Sequence, residues 1–392
     1  MSSKSPEIRF NGFTDDWEQR KFTDIMYRVR TSSNSNKLPK VEFEDITSGE
    51  GRLNKDVSHK FDTRKGTLFK PNNILFGKLR PYLKNWLLPD FEGIALGDFW
   101  VFESKNSDAH FNYFLIQAAR YQKVANDTSG TKMPRSDWKQ VSTTLFSIPS
   151  FEEQIKIGSF LKQIEKTIAL HQRELDNLIK SKKGFLQKMF PKKGEKNPKI
   201  RFEKFSDDWK LYKLGDLLAE RNEQITENDE YPLMSFVQKT GVTPKGDRYD
   251  RSFLVKEISK KYKKTELGDF IYSSNNLETG SIGFNRTGSA VISPVYSIFS
   301  SKSQRESELI GIISQRKEFV NKMIRFRQGV TYGQWRIHEK DFLEITLHIP
   351  EKEEQEVIID FFKNLDKTIA YSQQQLETLK QTKKAFLQKM FV

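Results

Sequence analysis

The hydrophobic pattern of two segments, residues 152–190 and 353–391, predicts a pair of long helices. In both segments apolar side chains recur at the alternating three- and four-residue spacing of a heptad repeat, with no proline inside. The seam positions are Ile157, Leu161, Ile164, Ile168, Leu175, Leu178, Ile358, Phe362, Leu365, Ile369, Leu376 and Leu379. Two matched seams in one chain favour an intramolecular, antiparallel coiled coil.

The two helical segments are also copies of each other. They align without a gap at an offset of 201, with 21 identities in 39 positions. A second repeated pair, residues 6–25 and 198–217, aligns at an offset of 192 with 10 identities in 20. The material between the repeated segments differs in length and in sequence. The chain therefore alternates constant and variable parts, which predicts a pseudo-two-fold molecule with one frame and two different modules.

Each variable region predicts a mixture of strands and helices. Short runs of β-type residues, broken by Gly, Pro and Asn, are followed by a helical stretch and then by a loop rich in Gly and Thr. We therefore predict an α+β chain with two similar globular domains separated by the two long helices. The predicted segments are 1–147 (first domain, with the repeated lead-in 6–25), 148–192 (central helix), 193–348 (second domain, with a linker and the lead-in 198–217) and 349–392 (C-terminal helix).

Charge and composition narrow the range of partners. The chain has 66 Lys and Arg against 52 Asp and Glu, a net charge of +14. Such an excess is typical of proteins that bind a polyanion, most often nucleic acid, or a membrane surface. The absence of cysteine excludes disulfides, thiolate metal sites and cysteine nucleophiles. The sequence has neither a secretory signal pattern nor a run of 18 apolar residues, so we expect a cytoplasmic protein.

The loops of the variable regions carry the side chains that suit DNA contacts. Arg and Lys bond to guanine and phosphate, Asn and Gln bond to adenine, and Thr methyls touch thymine. The candidates in the first domain are Lys78, Arg80, Tyr82, Lys84, Ser129, Thr131, Lys132 and Arg135. Those in the second domain are Asn275, Arg286, Thr331, Tyr332, Gln334 and Arg336. A polar turn is commoner than a base-reading loop, but similar loops recur in both regions.

Catalytic motifs are sparse. The sequence has no phosphate-binding loop, no dinucleotide fingerprint and no metal-ligand spacing among its five histidines. One loose match to a PD…ExK nuclease pattern, Pro89-Asp90 followed by Glu103 and Lys105, would hold Mg²⁺ on two carboxylates. Nothing comparable occurs in the second half. We therefore expect no catalytic residue and no metal site in this chain.

The repeated Asp-Asp-Trp triplets at residues 15–17 and 207–209 have two interpretations. They are either a helix cap followed by a core tryptophan or part of a docking surface for a partner. The cap is the commoner structure, and we favour it.

The combined motifs resemble the specificity subunit of type I restriction–modification systems. The resemblance covers essentially the whole chain. It depends on the duplicated EEQ…KTIA…FLQKMF helices, the IRF…DDW lead-ins, ILFGKLRPYLKN at 74–85, and the loops TSGTKMPR at 128–135 and QGVTYGQWR at 328–336.

This resemblance implies a non-catalytic adaptor. Each target-recognition domain would read one half of an interrupted, asymmetric double-stranded DNA site, while the helices set the spacing and dock the methyltransferase. The implied partners are two methyltransferase subunits, which use S-adenosylmethionine, and two motor–endonuclease subunits, which use ATP and Mg²⁺. This chain itself would bind no cofactor. The alternatives are a PD-ExK-like nuclease and a coiled-coil scaffold without a DNA role.

Overall fold

The structure is a computed structural model, and it describes residues 5–127, 132–237, 240–244, 260–278, 280–330 and 334–392. The chain divides into two compact units. The first comprises Met1–Arg173 and Gln373–Val392, and the second comprises Glu174–Ser372. Each unit therefore contains one variable region and about half of each long helix. The four segments predicted from the sequence instead gave each helix a segment of its own.

The first unit consists of short strands and short helices that lead into one long helix. Its strands are β1 (Glu18–Lys21), β2 (Met26–Val29), β3 (Ser32–Ser33), β4 (Lys40–Val41), β5 (Ile46–Thr47), β6 (Arg52–Leu53), β7 (Gly66–Phe69), β8 (Ile74–Gly77), β9 (Trp86–Leu87), β10 (Gly93–Ala95), β11 (Phe99–Ser104) and β12 (Leu145–Ile148). Its helices are α1 (Phe22–Ile25), α2 (Ala109–Leu115), α3 (Ala119–Ala125), α4 (Trp138–Thr143) and, up to Arg173, the N-terminal part of α5 (Phe151–Lys188).

Two four-stranded sheets form the centre of the first unit. One has the order β2-β11-β8-β9, and the other has the order β3-β7-β10-β4. Successive side chains of a strand point to opposite faces. Val101 therefore packs with residues of the second sheet, whereas its neighbour Phe102 packs against the aromatic residues of the helical layer. The first sheet is thus buried on both faces. This explains why the sequence of β11 begins with four consecutive apolar residues instead of alternating apolar and polar ones.

The second unit is built from corresponding elements. Its strands are β13 (Lys210–Lys213), β14 (Leu218–Glu220), β15 (Gln224–Ile225), β16 (Met234–Val237), β17 (Gly241–Pro244), β18 (Tyr262–Thr265), β19 (Phe270–Tyr272), β20 (Ile282–Phe284), β21 (Ala290–Ile292), β22 (Ser297–Ser301), β23 (Gln328–Val330), β24 (Gln334–Arg336) and β25 (Thr346–Ile349). Its helices are α6 (Leu214–Leu217), α7 (Gln304–Ile313), α8 (Lys317–Ile324), α9 (Glu339–Leu343) and, up to Ser372, the N-terminal part of α10 (Lys352–Lys389). The C-terminal part of α5 also belongs to this unit, and the C-terminal part of α10 belongs to the first unit.

The two units share one topology. The sheet β14-β22-β19-β20 has the same connectivity as β2-β11-β8-β9, and β15-β18-β21 corresponds to β3-β7-β10. In β19, Phe270 and Tyr272 face the helical core while Ile271 faces the smaller core, as in the first unit. The predicted helical stretches are each broken into two helices, α2 with α3 and α7 with α8. The mixed α and β content and the repeated domain are therefore confirmed.

The long helices run in opposite directions within each unit. In the first unit the ring of Phe160 lies 4.9 Å from that of Phe386, and Lys383 pairs with Glu165 at 2.5 Å. In the second unit Lys182 pairs with Asp366 at 2.6 Å. All twelve predicted seam residues are buried or half-buried. None of the helices in the described part of the chain has the length and apolar composition of a membrane span.

The repeated Ile-Arg-Phe of each lead-in joins the ends of the two helices. In the first unit the Ile8 amide donates to the carbonyl of Lys389, near the end of α10, at 2.9 Å. The next residue, Arg9, makes two hydrogen bonds of 2.7 and 2.9 Å to Glu153 in the first turn of α5. Glu153 is fully buried, so this guanidinium neutralises a carboxylate that water does not reach.

The second unit repeats this arrangement with the equivalent residues. The Ile200 amide donates to the carbonyl of Lys188 at 2.9 Å, and Arg201 makes two bonds of 2.7 Å to Glu354 at the start of α10. We call each of these arrangements, Ile8-Arg9 with Glu153 and Lys389 and Ile200-Arg201 with Glu354 and Lys188, a lead-in clamp. The clamps explain why two sequence motifs more than 140 positions apart are repeated together.

We predict that Arg9→Met destabilises the protein by about 3 kcal/mol, because it leaves the buried Glu153 carboxylate without its cation. The matched control is Arg20→Met, which breaks the exposed Arg20–Glu18 pair and should cost less than about 1 kcal/mol. Urea unfolding of both variants measures the difference. Equal losses in the two variants would contradict the clamp.

Candidate nucleic-acid interface

Four of the predicted DNA contacts lie in the turn that joins β8 to β9. Within this turn Pro81–Leu83 form a single 3₁₀ turn, and the flanking residues Arg80 and Lys84 have φ angles of +49° and +56°. Non-glycine residues adopt this left-handed conformation rarely and at a cost of about 1 kcal/mol each. Tyr82, the middle residue of the 3₁₀ turn, is 56% exposed.

The same turn is fastened to the loop that carries the other basic candidates. The Arg80 amide donates to the Pro134 carbonyl at 2.7 Å, and the Ser136 amide donates to the Lys78 carbonyl at 2.9 Å. The structure therefore brings Lys78, Arg80, Tyr82 and Lys84 together with Lys132 and Arg135. We call residues 78–85 and 132–136 the first loop pair.

One carboxylate, Asp98, sits among these cations. It pairs with Arg135 at 3.1 Å and with Lys78 at 3.5 Å. Partial burial alone would raise the pKa of Asp98, but the hydrogen bond from Arg135 and the two positive charges outweigh it and hold that pKa below its ordinary value. Asp98 therefore stays charged at neutral pH and fixes the direction of both basic side chains.

The second unit joins its loops in the corresponding place. The turn after β19 meets the hairpin β23–β24, where the Trp335 amide donates to Asn275 Oδ1 at 2.6 Å and the Ile337 amide donates to Ser274 Oγ at 3.0 Å. We call the described residues of 273–281 and 327–336 the second loop pair. Its most prominent feature is Trp335, which is 48% exposed and has the guanidinium of Arg327 at 5.8 Å from its ring.

The cations of the second loop pair are largely neutralised. Arg327 makes two hydrogen bonds of 2.7 Å to Glu278, and these lower the pKa of that carboxyl group. Arg336 lies 3.5 Å from Glu339. The second loop pair is therefore polar and aromatic, whereas the first loop pair carries five basic side chains, of which only Lys78 and Arg135 pair with Asp98.

Comparison with known proteins identifies the family of this chain. The family model for the type I restriction modification DNA specificity domain matches residues 14–181 and 206–381, one copy for each repeat. The chain belongs to this family of type I specificity subunits. Each loop pair thus lies within one copy of the DNA specificity domain.

Curated relatives agree with this family, and a solved structure has a similar fold. The chain is 22% identical over 318 residues to the type I restriction enzyme MjaVIII specificity subunit of Methanocaldococcus jannaschii, covering 76% of this chain and 73% of that protein. It is 28% identical over 197 residues to the HindI specificity subunit of Haemophilus influenzae, covering 47% and 41%. The fold is similar to the type I restriction–modification S subunit from M. genitalium, with a TM-score of 0.62 at 12% identity over 99% of both chains.

Not every candidate contact joins the loop pairs of this specificity subunit. Arg286 is exposed beyond the far end of β20, while the turn with Asn275 lies at the opposite end of the same hairpin. Arg286 stacks over Phe284 at 4.5 Å instead, so its role as a DNA contact stays a prediction apart from the cluster. Four candidates, Ser129, Thr131, Thr331 and Tyr332, lie outside the described residues, as does the side chain of Gln334.

Sequence reasoning missed two residues of these surfaces. Trp335 stands beside Gln334 and Arg336, and a tryptophan within a polar loop is a signal that could have identified it. Asp98 had no such signal, because only the fold brings it beside Lys78 and Arg135.

The Asp-Asp-Trp triplets are followed by strands β1 and β13, not by helices, so the expected helix cap is wrong. The core role of the tryptophans is right: Trp17 and Trp209 are each 2% exposed. The nuclease pattern also finds no support, since strand β8 lies between β11, which carries Glu103, and β9, which precedes Asp90. Among the described residues no group of three side chains could hold a metal ion.

We predict that Arg135→Gln raises the pKa of Asp98 toward the ordinary value of about 4 for an aspartate. The pair stabilises the folded state above that value, and the contribution is lost as the pH falls through the lower pKa of the folded protein. A ¹³C NMR titration of the carboxyl groups measures the pKa of Asp98 in both proteins. Lys84→Gln, in the same turn, should leave the titration of Asp98 unchanged, and a shift as large as that of Arg135→Gln would refute the assignment.

Proposed function

We propose that this chain is the DNA-reading component of a type I restriction–modification complex. Each unit would read one half of an interrupted, asymmetric site in double-stranded DNA through its loop pair. One observation carries the proposal: in both units the turn between two central strands is bound to the loop after the helical layer. The bonds from Arg80 to Pro134 and from Trp335 to Asn275 are the two instances.

The chemistry of the first loop pair suits the DNA backbone and guanine. The first loop pair contains five cations, Lys78, Arg80, Lys84, Lys132 and Arg135, and an exposed tyrosine, Tyr82. Lysine and arginine neutralise phosphates, and arginine also bonds in bidentate fashion to the major-groove edge of guanine. Asp98 would hold Arg135 in one orientation, and a fixed orientation favours selection of one base over another.

The second loop pair suits base contact more than charge neutralisation. Trp335 offers an exposed aromatic face, and Arg336 remains 55% exposed beside Glu339. Aromatic rings stack on bases or wedge between them, and arginine reads guanine. The two halves of the site would therefore differ in how much of the binding energy comes from phosphate contacts.

The long helices would set the spacing of the two half-sites and dock the methyltransferase. Each helix has 38 residues, or about 57 Å at 1.5 Å per residue. That is longer than one turn of B-DNA, about 34 Å, which separates half-sites read from one face of the duplex. Helices with the same repeated residues offer equivalent surfaces to two copies of one partner, and the repeat of the EEQ and FLQKMF motifs supports this role.

We assign no catalysis to this chain within the complex. Methylation would belong to two methyltransferase subunits that bind S-adenosylmethionine, and cleavage would belong to two motor–endonuclease subunits that bind ATP and Mg²⁺. Sequencing the methylated bases in a host that carries this chain and its methyltransferase subunit tests the proposal. A bipartite site with an unspecified central gap supports it, and a continuous or random pattern refutes it.

We predict that Arg80→Ala and Arg336→Ala relax different halves of the methylated site. Each variant removes a cation from only one loop pair, and loss of one good base contact costs about 1–3 kcal/mol of discrimination. Competition binding with duplexes altered in one half at a time measures the effect. Arg20→Ala, which removes a half-exposed, paired arginine outside both loop pairs, is the matched control. If both loop variants relax the same half, the assignment of one unit to each half is wrong.

A scaffold without a DNA role makes a different prediction, because it would bind DNA weakly or not at all. We expect specific binding whose affinity falls steeply with salt, and we expect Lys132→Ala to reduce the slope of log K against log salt by about 1. Fluorescence anisotropy at several salt concentrations measures the slope. A slope near zero for the unaltered chain would favour the scaffold.

A further inference from the structure

A second basic feature lies in the second unit, outside the second loop pair. A cavity of about 210 Å³ opens between helix α8, strand β25 and the residues that follow α5. We call this cavity the basic pocket. The basic side chains that line it are Lys192, Lys193, Arg316, Lys322, Arg325 and His348. The carboxylate on its wall is Glu318. With histidine neutral, five cations and one carboxylate leave a formal charge of +4.

Arg316 is the central residue of the basic pocket. It is only 8% exposed, and its guanidinium lies over the ring of Phe190 at 5.3 Å. One terminal nitrogen donates to the Pro191 carbonyl at 3.2 Å, but Nε has no hydrogen-bond partner in the described part of the chain. Glu318 is half exposed and comes no nearer to Nε than 3.9 Å. A buried guanidinium without a close carboxylate is costly, and an anion would offset that cost.

The other cations of the basic pocket crowd one another. Lys322 donates to the Thr346 carbonyl at 3.0 Å. Burial, and then the charges of Arg316 and Arg325, lower the pKa of Lys322. Burial and the charge of Lys322 likewise lower the pKa of His348. An anion bound among these like charges would relieve their mutual repulsion.

The basic pocket is not part of the repeated frame. Helix α3 of the first unit corresponds to α8, and each is preceded by one residue in an extended conformation. That residue is Arg316 in the second unit but Ala118 in the first. A feature that only one repeat carries does not belong to the shared scaffold. It also shares no residue with the second loop pair.

We propose that the basic pocket binds the phosphate group of a small phosphorylated molecule. A guanidinium fork and ammonium groups are the side chains that hold phosphate oxygens. The cavity has room for more than one phosphate group, so a diphosphate or a phosphoester fits. Because Arg316 is recessed below the surface, a free phosphate compound reaches it more easily than the backbone of a stiff DNA duplex does.

Pyrophosphate titrated into the full chain at constant ionic strength tests this proposal by calorimetry. We expect saturable binding to one site, weakened about 10-fold or more in Lys322→Gln, because each lost charge-assisted bond costs at least that factor. Lys317→Gln is the matched control: it removes the same charge from the same helix, but Lys317 is exposed and does not line the cavity. We expect its affinity to stay within twofold of the unaltered chain.

Two further variants test the same site. Arg316→Gln should abolish binding; if it fails to fold, Lys192→Gln combined with Lys193→Gln at the exposed rim should still weaken binding. The proposal is overturned if pyrophosphate does not bind at millimolar concentration, or if Lys317→Gln loses as much affinity as Lys322→Gln. It is also overturned if the rim variant weakens only the binding of a duplex, since the pocket would then hold a DNA backbone phosphate.

Discussion

The rest of the structure depends on the buried ion pair in each lead-in clamp. Glu153 and Glu354 are 0% and 1% exposed, and each is held by two bonds from one arginine. A carboxylate taken out of water needs such a partner, so the lead-in must lie against the first turn of its helix. The side-chain amide of the next residue, Gln154 or Gln355, donates at 2.9 Å to the carbonyl of the proline that precedes the helix, Pro149 or Pro350. These contacts explain why Ile-Arg-Phe and Glu-Glu-Gln are repeated while the residues between them vary.

The two loop pairs are joined by different groups. In the first loop pair both bonds join backbone groups, the amide of Arg80 to the carbonyl of Pro134 and the amide of Ser136 to the carbonyl of Lys78. In the second loop pair the amides of Trp335 and Ile337 donate to the side chains of Asn275 and Ser274. Exposed side chains of the first loop pair can therefore be replaced without loss of these bonds, whereas the second loop pair requires Asn275 and Ser274.

The sequence predicts the parts of this fold that repeat or that have a clear period. The heptad spacing predicted both long helices to within a few residues of α5 and α10, and the runs around Phe102 and Ile271 indicated buried strands. It did not predict the Arg9–Glu153 pair, because nothing local marks two residues 144 positions apart as partners. The grouping of Asp98 with Arg135, and the basic pocket around Arg316, are equally non-local. The position of Arg286 at the far end of its hairpin is also non-local information, because composition does not tell which end of a hairpin a loop occupies.

The unequal charge of the two loop pairs has a consequence for recognition. Phosphate contacts supply affinity that is independent of sequence, while base contacts supply selectivity. The first loop pair has five cations, of which two pair with Asp98, and it would provide most of the salt-sensitive binding. In the second loop pair, Arg327 and Arg336 already pair with Glu278 and Glu339. DNA can bind those arginines only by displacing a carboxylate. A wrong base sequence would therefore gain little binding energy there. The half-site read by the second loop pair would contribute less electrostatic affinity but more selectivity.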